Sequence, residues 1–178
     1  MVLLAILGLA AVVIDSFSND NPWVPRLAGI GLGLAFAWEL TRIADPAGTA
    51  FYGMIRTGGY ASFVNMVILL GAGLSVELCG PYLSRIKHNY GEVYAIVLFA
   101  TVGMMLLGTA NNLVGVFVGL ETMSISLYIL TGLVRDDEGA IESALKYFLL
   151  GAFATGFFLY GMALIYGATA SFDLMEIG

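Results

Sequence analysis

Charge is the scarcest property of this sequence. Charged residues make up 11% of its 178 residues, against about 25% in soluble domains. Hydrophobic residues make up 60%, and the mean hydropathy is +0.92. This composition predicts an all-α polytopic membrane protein, because apolar segments in lipid must satisfy their backbone groups internally, as helices do. A soluble domain large enough for chemistry of its own is excluded.

Motifs for soluble chemistry are also missing. The single cysteine, Cys79, cannot form an intrachain disulfide. Cys, His and acidic residues show no metal-ligand spacing, and there is no GxGxxG, P-loop or nucleophile-elbow motif. The net charge of −6 comes with no basic stretch that would indicate nucleic acid. We therefore expect no cofactor, no metal and no nucleic-acid partner for this chain, and a lipid bilayer around it.

Six apolar segments are predicted to form membrane helices. The first, 2–14, follows no basic residue and precedes no small-x-small cleavage site, so a membrane helix is favoured over a signal peptide. It is short for a span of about 20 residues, so it either extends through Phe17 or lacks upstream residues. The others are expected at 23–42, 60–82, 90–109, 113–134 and 139–166. Gly80-Pro81 is expected to end the third, and 43–59 to form a solvent loop.

The basic residues predict the orientation. Four of them lie in or beside the loops after helices one, three and five: Arg26, Arg85, Lys87 and Arg135. The loop after helix two holds Arg42 and Arg56, and the loop after helix four holds no basic residue. The positive-inside rule then places the odd loops in the cytoplasm and the N-terminus outside it.

Glu121 is the single charge in the apolar segment 113–134, and it lies near the middle. A carboxylate at bilayer depth costs about 2.5–3.5 kcal/mol on insertion scales, so it is rarely found there without a role or a partner. The group must take up a proton, or face a cation or a wet cavity. Glu121 is therefore predicted to handle protons. The alternative is a hydrogen-bonded contact between helices.

Three polar residues share a helical face with Glu121. Ser124, Tyr128 and Thr131 follow it at i+3, i+7 and i+10, which lie on one side of a helix. The opposite positions are Val, Ile and Leu. The polar stripe is predicted to line a hydrated path, with an interhelical contact as the structural alternative.

Lys146 is the second candidate for proton handling. It lies one helical turn after Glu142, an i,i+4 pair in the favourable order, and about 13 Å past the preceding loop. At that depth it can snorkel to the headgroups, so structural and functional roles are equally open. If helices five and six form a hairpin, Lys146 and Glu121 are offset by about 8 Å along the axes and by the interaxial gap. Direct contact between them is not expected.

Other features of the sequence are assigned structural roles. Small residues four apart in helix six are expected to let a neighbouring helix approach closely, without a ligand role. The two pairs are Gly151/Thr155 and Ala152/Gly156. Glu39 and Glu77 lie near predicted helix ends, where solvation at the membrane interface is the expected state, and a contact between helices stays open as the alternative for Glu77.

Helices five and six carry a family resemblance. Val118-Gly119-Leu120-Glu121-Thr122-Met123-Ser124, followed by Ser126-Leu127-Tyr128, resembles the glutamate-bearing fifth helix of the antiporter-like membrane subunits of respiratory complex I, NADH-quinone oxidoreductase. Glu142-Ser143-Ala144-Leu145-Lys146-Tyr147-Phe148 and its continuation resemble the subunit N branch of that family. The likeness is strong over about 90–174 and loose over the first three helices.

The resemblance implies a function and a location. It implies a membrane-arm subunit of the inner (plasma) membrane that contributes to proton translocation coupled to electron transfer from NADH to quinone. Glu121 and Lys146 match proton-handling positions of the family. The implied partners are neighbouring antiporter-like and small membrane subunits. NADH, flavin, iron–sulfur clusters and quinone would belong to other subunits, so this chain alone would perform no redox chemistry.

The resemblance also implies a domain division. Family members have about fourteen helices, which include two inverted five-helix repeats. Residues 1–88 are then expected to be the N-terminal three-helix segment, and residues 89–178 to be helices four to six, the start of the first repeat. The chain would thus hold only the first six helices of that fold, as a fragment of a longer subunit or, less favoured, as one part of a split subunit.

Two rival classes stay open at this point. A subunit of a multisubunit cation/proton antiporter or of a membrane-bound hydrogenase would share the helix-five glutamate, with a helix six less like that of subunit N. A purely structural membrane subunit would hold Glu121 buried, protonated and hydrogen-bonded to a neighbouring helix.

Overall fold

The computed structural model describes residues 1–17, 23–85 and 91–178. Within them the chain forms seven helices and one two-stranded antiparallel hairpin. In chain order the elements are α1 (Val2–Phe17), α2 (Trp23–Thr41), β1 (Gly48–Ala50), β2 (Ile55–Thr57), α3 (Gly59–Arg85), α4 (Glu92–Thr109), α5 (Leu113–Thr131), α6 (Glu138–Thr169) and α7 (Leu174–Ile177).

The prediction of an α-helical multi-pass membrane protein is confirmed. Among the described residues, four helices are long and apolar enough to span a bilayer, namely α3, α4, α5 and α6. Helix α1 is apolar but has 16 residues, and it does extend through Phe17. The predicted start of helix four at residue 90, and the predicted loop position of Lys87, lie outside the described residues.

Helix α3 contradicts the predicted end at Gly80-Pro81, because it continues to Arg85 with Pro81 inside it. Proline removes one helical hydrogen bond and crowds the preceding turn, which ordinarily costs about 3 kcal/mol. The turn that follows carries Leu83, which is 4% exposed within the hydrophobic core. Burial of this leucine gives the last turn a packing contact that the sequence pattern did not reveal.

The segment predicted as a solvent loop, 43–59, is partly structured. Strands β1 and β2 pair there across a turn in which Phe51, Tyr52 and Gly53 all have positive φ. Ile55 is 8% exposed and pairs with Ala110 in the turn between α4 and α5. The hairpin therefore folds onto the bundle instead of standing in solvent.

Asn111 joins three segments at this end of the bundle, which we call the hairpin end. Its side chain accepts a hydrogen bond from Arg56 Nε at 2.8 Å and donates to the Gly53 carbonyl at 3.0 Å. Asn112 pairs with Asp173, which brings the segment after α6 to the same place. The ends of α2, α4 and α6 and the starts of α3 and α5 thus meet here. The positive-inside rule predicts this end to lie outside the cytoplasm.

The centre of the bundle is α4, which packs against α1, α3 and α5. Ala95, Leu98 and Met105 on α4 are fully buried. Helix α5 approaches α4 closely at two glycines. A Cβ added to Gly103 would lie 2.4 Å from the Met123 nitrogen, and one added to Gly119 would lie 2.5 Å from the Leu107 nitrogen. The two backbones are therefore in direct contact, as small residues allow in membrane helix pairs.

Candidate proton-handling site

Glu121 lies on α5 at its contact with α6. The Thr155 hydroxyl of α6 donates a hydrogen bond of 2.6 Å to Glu121 Oε1, and both residues are half-buried. Glu121 is about 12 Å along α5 from Leu113, so it is far from both ends of the helix. The predicted charged group in mid-membrane is therefore placed between two helices, with a hydroxyl group as its partner.

Tyr128 continues the same contact about two turns further along α5. Its ring packs edge-on against the rings of Tyr147 and Phe148, with centroid distances of 4.7 and 5.9 Å. Its hydroxyl group lies over Gly151, where an added Cβ would be only 1.8 Å from the Tyr128 oxygen. Gly151 therefore makes the space that this hydroxyl occupies. The contact surface of α5 and α6 that holds Glu121 and Tyr128 is called the α5–α6 seam below.

The other two residues of the predicted stripe are placed differently. Ser124 is half-buried on α5. The Thr131 hydroxyl donates to the Leu127 carbonyl of its own helix at 2.8 Å, as threonine commonly does in membrane helices. Glu121 and Tyr128 thus face α6 together, whereas Thr131 is bonded within α5. That Ser124, Tyr128 and Thr131 line a hydrated path stays a prediction.

Lys146 lies on the exposed side of α6 and pairs with Glu142. The side chains of this ion pair are 68% and 65% exposed, for Lys146 and Glu142 respectively. Lys146 is nine residues before Thr155, so it lies roughly 13 Å from the level of Glu121 along α6. The offset is larger than the 8 Å that the hairpin estimate gave, and the two charges do not meet directly.

Thr155 is the partner that sequence reasoning assigned only to packing. The Gly151/Thr155 pair does face α5, and both members contact the polar side chains of that helix. The Ala152/Gly156 pair does not, because a Cβ added to Gly156 has no described atom within 4 Å. The depths of the two residues would have indicated Thr155. It lies about 25 Å past the start of α6, and Glu121 lies about 21 Å before the loop at Arg135 that joins the two helices.

Glu39 was expected at the membrane interface, and the structure contradicts this. It is 9% exposed, and Asn65 Nδ2 of α3 donates to its Oε1 at 3.0 Å. The hairpin covers this end of α2, so the carboxyl group is enclosed although it lies near the end of the helix. Glu77, in contrast, is exposed on α3.

No metal centre is indicated in the part of the chain that the structure describes. His, Cys, Asp and Glu form no group of three or more there that could hold an ion. The chemistry available to the seam is therefore proton transfer and hydrogen bonding by Glu121, Thr155 and Tyr128.

Comparisons with known proteins agree with the fold. Residues 110–178 match the transmembrane family described as NADH:quinone oxidoreductase/Mrp antiporter. The chain superimposes on a chain of respiratory complex I from Thermus thermophilus with bound Aureothin, with a TM-score of 0.81 and 36% identity. That match covers 97% of this chain and 38% of the other. The chain therefore belongs to the antiporter-like membrane subunits of this family.

Within the family, this chain is similar to subunit N. It is 55% identical to the NADH-quinone oxidoreductase subunit N of Salinibacter ruber over 94% of its length, and 42% identical to that of Trichlorobacter lovleyi over 99%. The predicted resemblance to the subunit N branch is thereby confirmed. The chain spans 34% and 36% of these two curated relatives and corresponds to their N-terminal portion.

Proposed function

We propose that this chain is the N-terminal part of a membrane-arm subunit of NADH-quinone oxidoreductase, and that it contributes to proton translocation coupled to electron transfer from NADH to quinone. The carrying observation is Glu121, a carboxyl group at mid-helix in the α5–α6 seam with the Thr155 hydroxyl as its hydrogen-bond donor. A half-buried carboxyl group can bind and release a proton, and the Thr155 hydroxyl stabilises its ionised form by donating a hydrogen bond. Electron transfer and its cofactors belong to other subunits.

The setting of the chain is part of the same proposal. Residues 1–88 form a three-helix N-terminal unit and residues 89–178 begin the first antiporter-like repeat, in the inner membrane with the N-terminus outside the cytoplasm. Neighbouring membrane-arm subunits are the partners. In support, Met162 is the single buried residue of α6, so most of the apolar surface of this helix is free to contact lipid or further protein.

Co-purification tests the assignment to the complex. A subunit that carries this chain, tagged in its host and extracted in mild detergent, should bring down NADH:quinone oxidoreductase activity together with flavin. The same extract from an untagged strain is the control. If the tagged subunit is purified in good yield without that activity, the assignment fails and a cation/proton antiporter assembly takes precedence.

The Lys146→Met variant should lower proton pumping several-fold. Methionine keeps the length and apolar stem of lysine but removes the charge that pairs with Glu142. Any contribution of this charge to proton transfer is therefore lost. The measurement is NADH-driven acidification of inverted membrane vesicles, normalised to assembled complex. Lys146→Arg, which keeps the positive charge, should retain most of the pumping. Undiminished pumping by Lys146→Met would show that the lysine only extends to the headgroups.

The Thr155→Val variant should lower pumping by about threefold to tenfold. Valine has nearly the shape of threonine but lacks the hydroxyl donor, so Glu121 loses a charge-assisted hydrogen bond that is worth about 1.5–3 kcal/mol. Thr155→Ser retains the hydroxyl group and should stay close to wild type. If the valine and serine variants pump equally well, the hydrogen bond has no part in proton transfer.

A further inference from the structure

The Glu39–Asn65 pair is a buried acid–amide pair outside the α5–α6 seam. Glu39 on α2 is 9% exposed and Asn65 on α3 is 4% exposed. Asn65 Nδ2 donates to Glu39 Oε1 at 3.0 Å. A carboxyl group enclosed between two helices is stabilised by a paired cation or by a bound proton, because an isolated charge there is very costly.

The two nearby arginines are engaged elsewhere. Arg42, on the chain just after α2, pairs with Asp45 at 3.1 Å. Arg56 of the hairpin donates to Asn111 at 2.8 Å. From α1, burial lowers the pKa of the Met1 α-amino group, and the Glu39 carboxylate opposes that shift. Within the described ranges, no basic group lies close enough to Glu39 for an ion pair.

The amide oxygen of Asn65 indicates which hydrogen-bond donor completes the pair. Asn65 Oδ1 is fully enclosed and has no hydrogen-bond partner within the part of the chain that the structure describes. Buried amide oxygens almost always accept a hydrogen bond, so a donor is required at this atom. A protonated carboxyl group supplies that donor, because its O–H can pair with an amide oxygen while its other oxygen accepts from the amide N–H.

A cleft gives the pair a route to the surface. Its volume is about 200 Å³, and its lining includes Glu39, Ser62, Asn65, Arg42 and Arg56. Each water molecule takes about 30 Å³ in the liquid, so several fit beside these polar groups. One carboxylate with two neutral oxygens is a poor ligand set for a divalent cation, which prefers more oxygen ligands and usually several carboxylates.

We propose that Glu39 is a second proton-exchange site, at the hairpin end of the bundle and separate from Glu121. In the protonated form, Asn65 Nδ2 donates to Oε1, and the proton on Oε2 is donated to Asn65 Oδ1. On release, the O–H bond of Glu39 breaks and a water molecule of the cleft takes the proton, while Asn65 Nδ2 still donates to the carboxylate and the arginines that line the cleft, Arg42 and Arg56, offset part of its charge. Uptake runs in reverse and returns a donor to the enclosed Asn65 Oδ1, so the amide favours the protonated state.

The deciding measurement is infrared spectroscopy of the full-length subunit in its assembled complex, in membranes at neutral pH. The Glu39→Gln variant keeps an acceptor for Asn65 Nδ2 and adds a donor for Oδ1, so it should fold. It should lack one protonated-carboxyl carbonyl band that the wild type has and that moves in heavy water. Glu39→Asp keeps the carboxyl group and should shift the frequency of this band. If the Glu39→Gln complex does not assemble, the Glu39→Asp variant serves as the test. If neither variant changes the carboxyl bands, the proposal is overturned.

A hydrophobic carbodiimide locates the proton. A protonated carboxyl group adds across the C=N bond of the reagent to give an O-acylisourea, whose acyl group then migrates to nitrogen and leaves a stable N-acylurea. Ionised carboxylates therefore react slowly. At neutral pH we expect Glu39 to be labelled at least about tenfold more than Glu92, whose exposed side chain pairs with Arg135 at 3.2 Å. Equal labelling would contradict the proposal. Replacing Glu121 with glutamine should leave both readouts unchanged, so failure here and failure of the proposed function are separate results.

Discussion

NADH-driven proton pumping should fall at least about tenfold when Glu121 is replaced by glutamine. Glutamine keeps the size of the side chain and an oxygen that accepts from Thr155, but it cannot bind and release a proton at neutral pH. A positioned proton-transfer group typically contributes a factor of 10² to 10⁴ to the rate. We expect a loss of at least about tenfold, which is smaller, because protons can also cross the complex by other routes. The measurement is acidification of inverted membrane vesicles, with the amount of assembled complex determined on native gels.

Glu138→Gln is the matched control for this experiment. Glu138 is exposed in the first turn of α6, where its charge only complements the start of the helix. This variant should pump like wild type. Wild-type pumping by fully assembled Glu121→Gln complex would mean that Glu121 is a structural hydrogen-bonding residue, which is the role that a neutral isostere can fill.

Gly103→Val should greatly reduce the amount of folded subunit. An added Cβ at this position meets the backbone of α5, at 2.4 Å from the Met123 nitrogen and 2.9 Å from the Gly119 carbonyl oxygen. Backbone atoms cannot rotate away, so α5 must move from the central helix α4. Overpacking of this kind costs about 1–3 kcal/mol, and the displaced helix is the one that carries Glu121. The yield of assembled complex on native gels and its thermal inactivation temperature measure the effect.

Gly71→Val is the control for the glycine substitution. Gly71 is within α3, and a Cβ added there has no described atom within 4 Å. The same chemical change should therefore leave the yield near the wild-type level. Equal yields of the Gly103 and Gly71 variants would contradict the close approach of α4 and α5.

The helices could largely be predicted because hydropathy and end signals agree along the chain. Asp137 is an example: its side chain accepts from the backbone N–H of Gly139 and of Ala140, as expected for an acid that starts a helix. The end of α3 could not be predicted in this way. Pro81 is a local signal to stop, whereas the burial of Leu83 that carries the helix past it depends on contacts with other helices.

The candidate site was predictable in its charge and only partly in its partners. A single carboxylate in an apolar segment marks Glu121 by itself, because lipid makes its presence costly. The hydrogen bond from Thr155 depends on the relative depth of two helices, which composition does not state. The burial of Glu39 depends on a hairpin that folds back over the end of α2, so its position near a helix end was misleading.

A double-mutant cycle on Glu121 and Thr155 tests the central claim most directly. Pumping per assembled complex is measured for the wild type, Glu121→Gln, Thr155→Val and the double variant. If Thr155 acts through its hydrogen bond to a proton-carrying Glu121, the valine change should cost nothing further once glutamine is in place. The double variant should then pump at the Glu121→Gln rate. Losses that multiply would show that the two residues act independently, which contradicts proton transfer at the α5–α6 seam.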